Sequence, residues 1–316
     1  MAVYNLRKLQ LGKQTVWGTA VAATAVLRNI EDAEVVFETG AEMIGELGFN
    51  VPGVALLKRR QSSGSFEMLA SYEQILYVLH GLMGTVSPTG SGPYTWTYTL
   101  PASTAVTPQI YTLEYGMSGA EYRLADVLIS KAKFSTEAGE PLKVESDFIA
   151  GGIPSPLSMT SLSVTSVNTI NSVGASVYLD ALDGTPGTTA LQGTLISFEL
   201  EVDPKRHIKI FVDDATGYGD DAWDVSGSLM LEFNSAGKSI VDQVLSDLKQ
   251  GLVEVKFTSG TNIVRLQFGF TATGEVTLFS DRDGNATAEL SFNGTYSSSL
   301  GSALKAIVTN SVSTLA

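Results

Sequence analysis

No cysteine occurs among the 316 residues, which excludes disulfides, thiolate nucleophiles and cysteine-held metals. Histidine is nearly as scarce. His80 and His207 fall on different segments of the two halves of the chain, so a multi-histidine metal centre within one chain is excluded. Basic charge is short too: 20 Lys+Arg against 33 Asp+Glu leave a net charge of −13 and a pI of about 4.6. Nothing resembles the clustered Lys and Arg that neutralise phosphates, so tight binding of nucleic acid is not expected. No stretch approaches the roughly 20 apolar residues of a membrane-spanning helix. The basic start (Arg7, Lys8, Lys13) runs into Gly, Thr and Ala rather than the apolar core of a signal peptide. The chain is therefore expected to be made in the cytoplasm, without a membrane partner.

What the sequence does contain is a duplication. Pro108 to Gly116 leads to Phe134-Ser135-Thr136-Glu137-Ala138-Gly139-Glu140 and then Val144 to Phe148. The second half answers in the same order with Thr261 to Gly269, Phe279-Ser280-Asp281-Arg282-Asp283-Gly284-Asn285 and Ala288 to Phe292. Upstream, Ser63-Gly64-Ser65-Phe66 matches Ser226-Gly227-Ser228-Leu229, each before a helical segment. Two similar units in one chain suit rings and repeating assemblies better than a single catalytic cleft.

Alternation of period two dominates and is clearest in Leu195-Ile196-Ser197-Phe198-Glu199-Leu200-Glu201-Val202-Asp203, whose apolar residues share one face and whose Ser, Glu and Asp share the other. Val35 to Thr39 reads as its counterpart, aligning Phe37 with Phe198 and Glu38 with Glu199. Further strands are expected at 54–58, 64–69, 94–100, 109–115, 128–135 and 142–148. In the second half they fall at 207–212, 225–233, 253–258, 263–272, 275–280 and 286–293. Asp283-Gly284 between two alternating runs predicts a hairpin, with Ala138-Gly139 at the matching point. Each half has one amphipathic helix: Tyr72, Ile75, Leu76 and Leu79 form one stripe, and Ile240, Val241, Val244, Leu245 and Leu248 the other, with Ser71 and Ser239 as expected N-caps. The expected fold is mainly β, with two tandem β-sandwich or half-barrel domains each bearing one helix. The expected boundaries are an N-terminal arm (1–27), a first domain (28–152), a linker (153–176), a second domain (177–294) and a C-terminal arm (295–316).

Chemistry-bearing motifs are sparse. The loop Asp213 to Asp221 clusters carboxylates that suit either a hard cation or a solvated turn. Asp281-Arg282-Asp283-Gly284-Asn285 with Glu289 has its glycine and glutamate too early for an EF-hand. No Gly-x-Ser-x-Gly elbow accompanies either histidine, and Gly90-Ser91-Gly92 lacks the ending of a phosphate loop. No catalytic residue, cofactor or metal is expected.

Leu11-Gly12-Lys13-Gln14-Thr15-Val16-Trp17-Gly18-Thr19-Ala20 and the residues to Thr24 resemble the opening of major tail tube proteins from long non-contractile phage tails. Such proteins often begin with a Gly-basic-Glu/Gln-Ser/Thr-x-aromatic-Gly-Thr-Ala run. The resemblance implies a tail-tube fold and a structural virion protein of the phage tail, whose rings stack head-to-tail into a channel conducting double-stranded DNA into the host cell. Two units per chain imply homotrimeric pseudo-hexameric rings, with a homohexamer as the alternative. The family's tape measure protein and tail terminator or tip proteins are the implied partners, with DNA in transit only. Glu38, Glu199, Glu201 and Asp203 are the lumen-lining candidates on this reading. Met43, Ile44, Leu47, Phe49, Val51 and Trp17 are candidates for contacts between rings. The rival readings are a β-sandwich adhesin or carbohydrate-binding module using Tyr94, Trp96 and Tyr98 as an aromatic platform, and a hydrolase using Asp213 and Asp214.

Overall fold

Strands of alternating polarity must bury one face and pair their backbone polar groups, and in this chain, apart from two separate hairpins, they do so within one extended antiparallel sheet. The computed structural model describes residues 6–316 except 46, 52, 214, 247, 248 and 283. The chain runs β1 (Lys8–Gln14), β2 (Ala25–Val26), β3 (Ile30–Phe37), β4 (Ala41–Ile44), β5 (Val54–Leu57), β6 (Ser62–Leu69), α1 (Ile75–Met83), β7 (Tyr94–Thr99), β8 (Ile110–Met117), β9 (Ala120–Glu137), β10 (Lys143–Ala150) and β11 (Ser155–Pro156). It continues through β12 (Ser176–Asp180), β13 (Leu195–Asp203), β14 (His207–Ile210), β15 (Thr216–Gly219), β16 (Asp224–Glu232), α2 (Ser235–Ser246), β17 (Gln250–Ser259), β18 (Asn262–Arg282), β19 (Asn285–Gly294) and β20 (Leu304–Asn310).

The duplication is topological. In the first repeat the strands neighbour one another as β3, β6, β10, β9, β8; in the second as β13, β16, β19, β18, β17. Even the irregularities repeat: β3 carries a bulge between Ile30 and Asp32, and β13 one between Leu195 and Ser197. Gly64 pairs with Val35 and Phe148, and Gly227 with Leu200 and Phe292. At each glycine a Cβ would collide with a neighbouring strand's carbonyl (Glu34 or Glu199) and with the ring of Phe148 or Phe292.

This register corrects two sequence alignments. Glu199 corresponds to Glu34, not Glu38. The counterpart of residues 110–117 is β17, whereas residues 261–269 belong mostly to β18, the counterpart of β9. Any strand of alternating polarity resembles any other, and only pairing distinguishes them. Residues 263–272 and 275–280, expected as two strands, form the single bulged strand β18. The β18–β19 turn falls between the paired Arg282 and Asn285; Asp283 lies outside the described residues. Around Ala138-Gly139 the chain turns from β9 into β10 as expected, with Gly139 at φ +89°.

Neither terminal segment is a free arm. β1 pairs along its whole length with β8, and Leu9 and Leu11 are buried. β20 lies between β18 of the second repeat and β7 of the first, welding the two together. Their apolar residues are too few to suggest a core alone, yet each strand needs only to fill a place between two others, β1 between β2 and β8 and β20 between β18 and β7. The expected linker is also fastened: Thr160 donates through N (2.7 Å) and Oγ1 (2.9 Å) to the buried Glu114, and Asn168 to Glu73.

Both helices contribute side chains to the common core, but unequally. All nine residues of α1 are buried, whereas of α2 only Gly237, Ile240 and Val241 are. Tyr72 precedes α1 in a turn, where the Ser71 hydroxyl accepts from Gln74 N (3.2 Å). Ser239 lies inside α2; Asn234 caps it instead, accepting from Ala236 N and Gly237 N (3.0 Å each). Leu248 of the expected stripe lies outside the described residues.

His80 is buried on α1 and hydrogen-bonded to Tyr98 Oη (2.6 Å). Burial, with Lys13 nearby, pulls its pKa down to about 4. The unfolded chain therefore binds a proton at this residue between about pH 6.5 and 4 that the folded chain refuses. Stability from this group is intact above pH 6.5 and lost as pH falls through 4, by roughly 3 kcal/mol in all. Urea midpoints of the wild type are expected to drop across that window more than those of His80→Gln; equal drops would refute the assignment.

Candidate functional site

The outer face of the sheet is one continuous polar surface. Eight strands contribute to it in the order β18, β19, β16, β13, β9, β10, β6, β3, because β9 and β13 pair edge to edge across the two repeats. Glu201 faces Lys133 and Glu199 faces Ser135 across that junction. Because side chains alternate, Glu34, Glu67, Glu145, Asp147, Glu199, Glu201, Asp203 and Glu289 share this face with Lys131, Lys133, Lys143 and Arg282. Carboxylates predominate, and every one of these cations is engaged by them. Lys131 meets Glu201 at 2.7 Å, Lys133 meets Glu145 at 3.0 Å, and Lys143 meets Glu67 at 2.6 Å and Glu31 at 2.9 Å. Arg282 pairs with Glu137. Hydrogen bonding to Glu201 holds the Lys131 ammonium above its ordinary pKa, the bond from Lys143 lowers that of Glu67, and burial raises that of Asp147. The lysines thus remain charged and spoken for, leaving surplus negative charge on the face.

Three of the four acidic residues singled out from sequence, Glu199, Glu201 and Asp203, lie together on this face. Glu38 is in phase with them but sits one residue past the end of β3, where its N–H bonds Gln61 O at 2.9 Å. Glu34, Glu67, Glu145, Asp147 and Glu289 were missed, although alternation within 30–37, 62–69, 143–150 and 285–294 carried the signal.

Two edges of this surface have no strand partner among the described residues. One is the outer edge of β3; the other is the outer edge of residues 276–282 of β18. In the repeat these edges correspond to the two that pair inside the chain, those of β13 and β9. At the start of β3 the Ala33 carbonyl is occupied, accepting from Tyr115 Oη (2.8 Å) and Arg7 Nη1 (3.1 Å).

Of the residues expected between rings, Met43 and Ile44 lie on the β4–β5 hairpin and Leu47, Phe49 and Val51 in its loop. All except Ile44 are exposed, Leu47 fully. Trp17 is different. Its Nε1 donates to Thr216 Oγ1 (2.9 Å) and its ring lies 5.6 Å from Tyr218, so it is engaged within its own chain.

The surrounding Gly-Lys-Gln-Thr-Val-Trp-Gly run has a matching explanation. Gln14 Nε2 donates to Asp126, while Gln14 Oε1 accepts from Asp126 N (3.1 Å) and Thr112 Oγ1 (3.0 Å). Gly18, at φ +81°, lets its N–H reach Asp126 Oδ1 at 2.7 Å. A Cβ on Gly12 would strike the Ala22 carbonyl. The motif locks the N-terminal segment to β8 and β9 and clamps the β14–β15 hairpin.

Trp96 and Tyr98 are buried, so the aromatic platform expected of an adhesin does not exist. Within the acidic loop Asp220 pairs with Arg206 at 2.7 Å, Asp213 is exposed, and Asp214 lies outside the described residues. Among the described residues no group of three or more His, Asp or Glu is placed to hold a metal ion. No described helix is long and apolar enough to cross a membrane. The family model of the phage tail tube protein matches residues 5–294. No curated protein matches the chain.

Proposed function

The chain belongs to the phage tail tube protein family and is a structural, non-catalytic virion protein; on that footing we propose that three copies close each ring of the tube and that the acidic sheet face lines its channel. The observation that carries this reading is the internal β9–β13 junction, whose two counterpart edges are left open on β18 and β3. Repeating the internal pairing between copies sets Val35, Val36 and Phe37 against Leu278, Thr277 and Val276 of the next chain, and no edge remains. Exposed strand edges are otherwise a liability for aggregation.

Size favours three copies over six. About 24 strands at ~4.8 Å spacing, tilted roughly 35–45°, make a backbone circle about 45–52 Å across. Six such chains would double it and set the wall far beyond the ~8 Å reach of charge at physiological salt. Within the smaller ring, a duplex carrying about one negative charge per 1.7 Å is repelled only near contact, which centres it without blocking passage. Rings stack head-to-tail, a heterologous contact that propagates. The exposed Leu47, Phe49 and Val51 at the hairpin tip supply apolar surface for it; Trp17, committed within the chain, does not. A tape measure protein inside the tube and a terminator at its end are the expected partners, and the virion tail the location.

Native mass measurement of assembled rings tests the stoichiometry: multiples of three chain masses are expected, and multiples of six alone would overturn it. The channel assignment is tested by Glu199→Lys with Glu201→Lys. Tubes are expected to form, but DNA delivery should fall at least tenfold at low salt and recover partly as salt rises. Unchanged delivery would remove these residues from the wall.

A further inference from the structure

The geometry points to a docking site for the β4–β5 hairpin on the second repeat of the adjacent copy of this chain, over the last turn of α2. The inference rests on the ring closure proposed above and adds a second contact to it.

The template is internal. The hairpin β14–β15 leaves β13, and because β13 pairs with β9, this hairpin lies over the repeat that owns β9. It is held there by Arg206, whose side chain is fully buried and donates to the carbonyls of Gly81 (2.8 Å) and Leu82 (3.4 Å) at the end of α1 and of Ile129 (2.5 Å) in β9. The hairpin β4–β5 leaves β3 at the equivalent place. Both exits turn through a left-handed residue, Lys205 at φ +49° and Gly40 at φ +67°, so the two hairpins depart in the same way. If β3 pairs with the neighbour's β18 as β13 pairs with β9, the first hairpin must fall over the neighbour's second repeat.

The chemistry on both sides fits that outcome. Ala41 follows Gly40 where Arg206 follows Lys205, so the contact between copies is apolar where the internal one is made by a guanidinium hydrogen-bonded to main-chain carbonyls. Met43, Leu56 and Leu57 are exposed on the hairpin. Ala272 is the strand counterpart of Ile129, since each pairs with the phenylalanine opposite a strand glycine. The last turn of α2 presents Leu245, 63% exposed, while the corresponding turn of α1 is wholly covered. The first hairpin spans Ala41–Leu57, longer than its counterpart at His207–Gly219. Its base therefore covers α2 within the ring, and the surplus tip projects toward the next ring.

The absence of native cysteine makes cross-linking clean. Assembled tubes of Ala41→Cys with Leu245→Cys, treated with a short bismaleimide, are expected to give a denaturing-gel ladder that stops at three chains. The seam pair Val36→Cys with Thr277→Cys should stop at three as well. A hairpin pair that fails to link, or links past three chains, while the seam pair stops at three overturns the docking and leaves the ring intact. A seam pair that does not stop at three overturns ring closure and the docking with it. Independently, Leu245→Glu is expected to raise the critical concentration for assembly at least tenfold while leaving the monomer's urea midpoint unchanged; an unaltered critical concentration overturns the docking.

Discussion

Replacing Gly227 by valine is expected to destabilise the monomer by about 3 kcal/mol or more and to abolish tube formation. The glycine is not there for an unusual dihedral; it lies in a regular strand. A side chain at this position would drive into the Glu199 carbonyl of β13 and into the ring of Phe292 on β19, well inside contact distance on both sides. The first atom is backbone within a hydrogen-bonded sheet, so it yields only if β13 and β16 separate. Gly64→Val should behave alike, since Glu34 O and the Phe148 ring occupy the same places around it. Surface controls on the polar face, such as Ser228→Thr, are expected to stay within about 0.5 kcal/mol. Urea unfolding of each purified variant checks this, and a Gly227→Val protein with a midpoint near wild type would show that the two strands are further apart than described.

Substituting Arg206 by methionine should cost about 3–5 kcal/mol. The guanidinium satisfies three main-chain carbonyls from the first repeat while bonding Asp220 through Nε (2.7 Å) and Nη2 (2.9 Å). Methionine fills similar volume but leaves those carbonyls and a half-buried carboxylate without their donor. Arg206 also sits at the C-terminal end of α1, where positive charge opposes the negative end of the helix dipole. Combining Arg206→Met with Asp220→Leu should recover part of the loss, because the stranded carboxylate is then gone. Hydrogen exchange offers a second readout: the amides of β14 and β15 should lose protection in Arg206→Met while those of β16 and β19 keep it. A loss below about 1 kcal/mol would mean that the ion pair contributes little beyond its packing.

The acidic face was legible at Leu195 to Asp203 because strict alternation over nine residues leaves one choice of face. It was less legible in the first repeat, where Val36 and Phe37 are both exposed and break the pattern. That break displaced the alignment by four residues and put Glu38 where Glu34 belongs. The family motif near residues 11–24 was visible as residue types, but its role was not. Gln14, Trp17 and Gly18 act on Asp126 and Thr216, which lie more than a hundred residues away in sequence, and no local pattern encodes such partners. Asn234 ahead of α2 is a readable cap in the sequence, five residues before Ser239.

Sequence alone determined that this chain is a doubled β protein, and that acidic side chains gather on the solvent side of its strands. Those properties reside in residue type, period and the recurrence of short blocks, all of which are read along the chain without knowing which strands pair. Tertiary structure alone decided which strands are neighbours, that the two repeats merge into one sheet at β9 and β13, and which two edges have no strand partner among the described residues. Strand pairing is made by backbone N–H and C=O groups that every residue carries, so neither the junction nor the open edges leave a mark in the order of side chains.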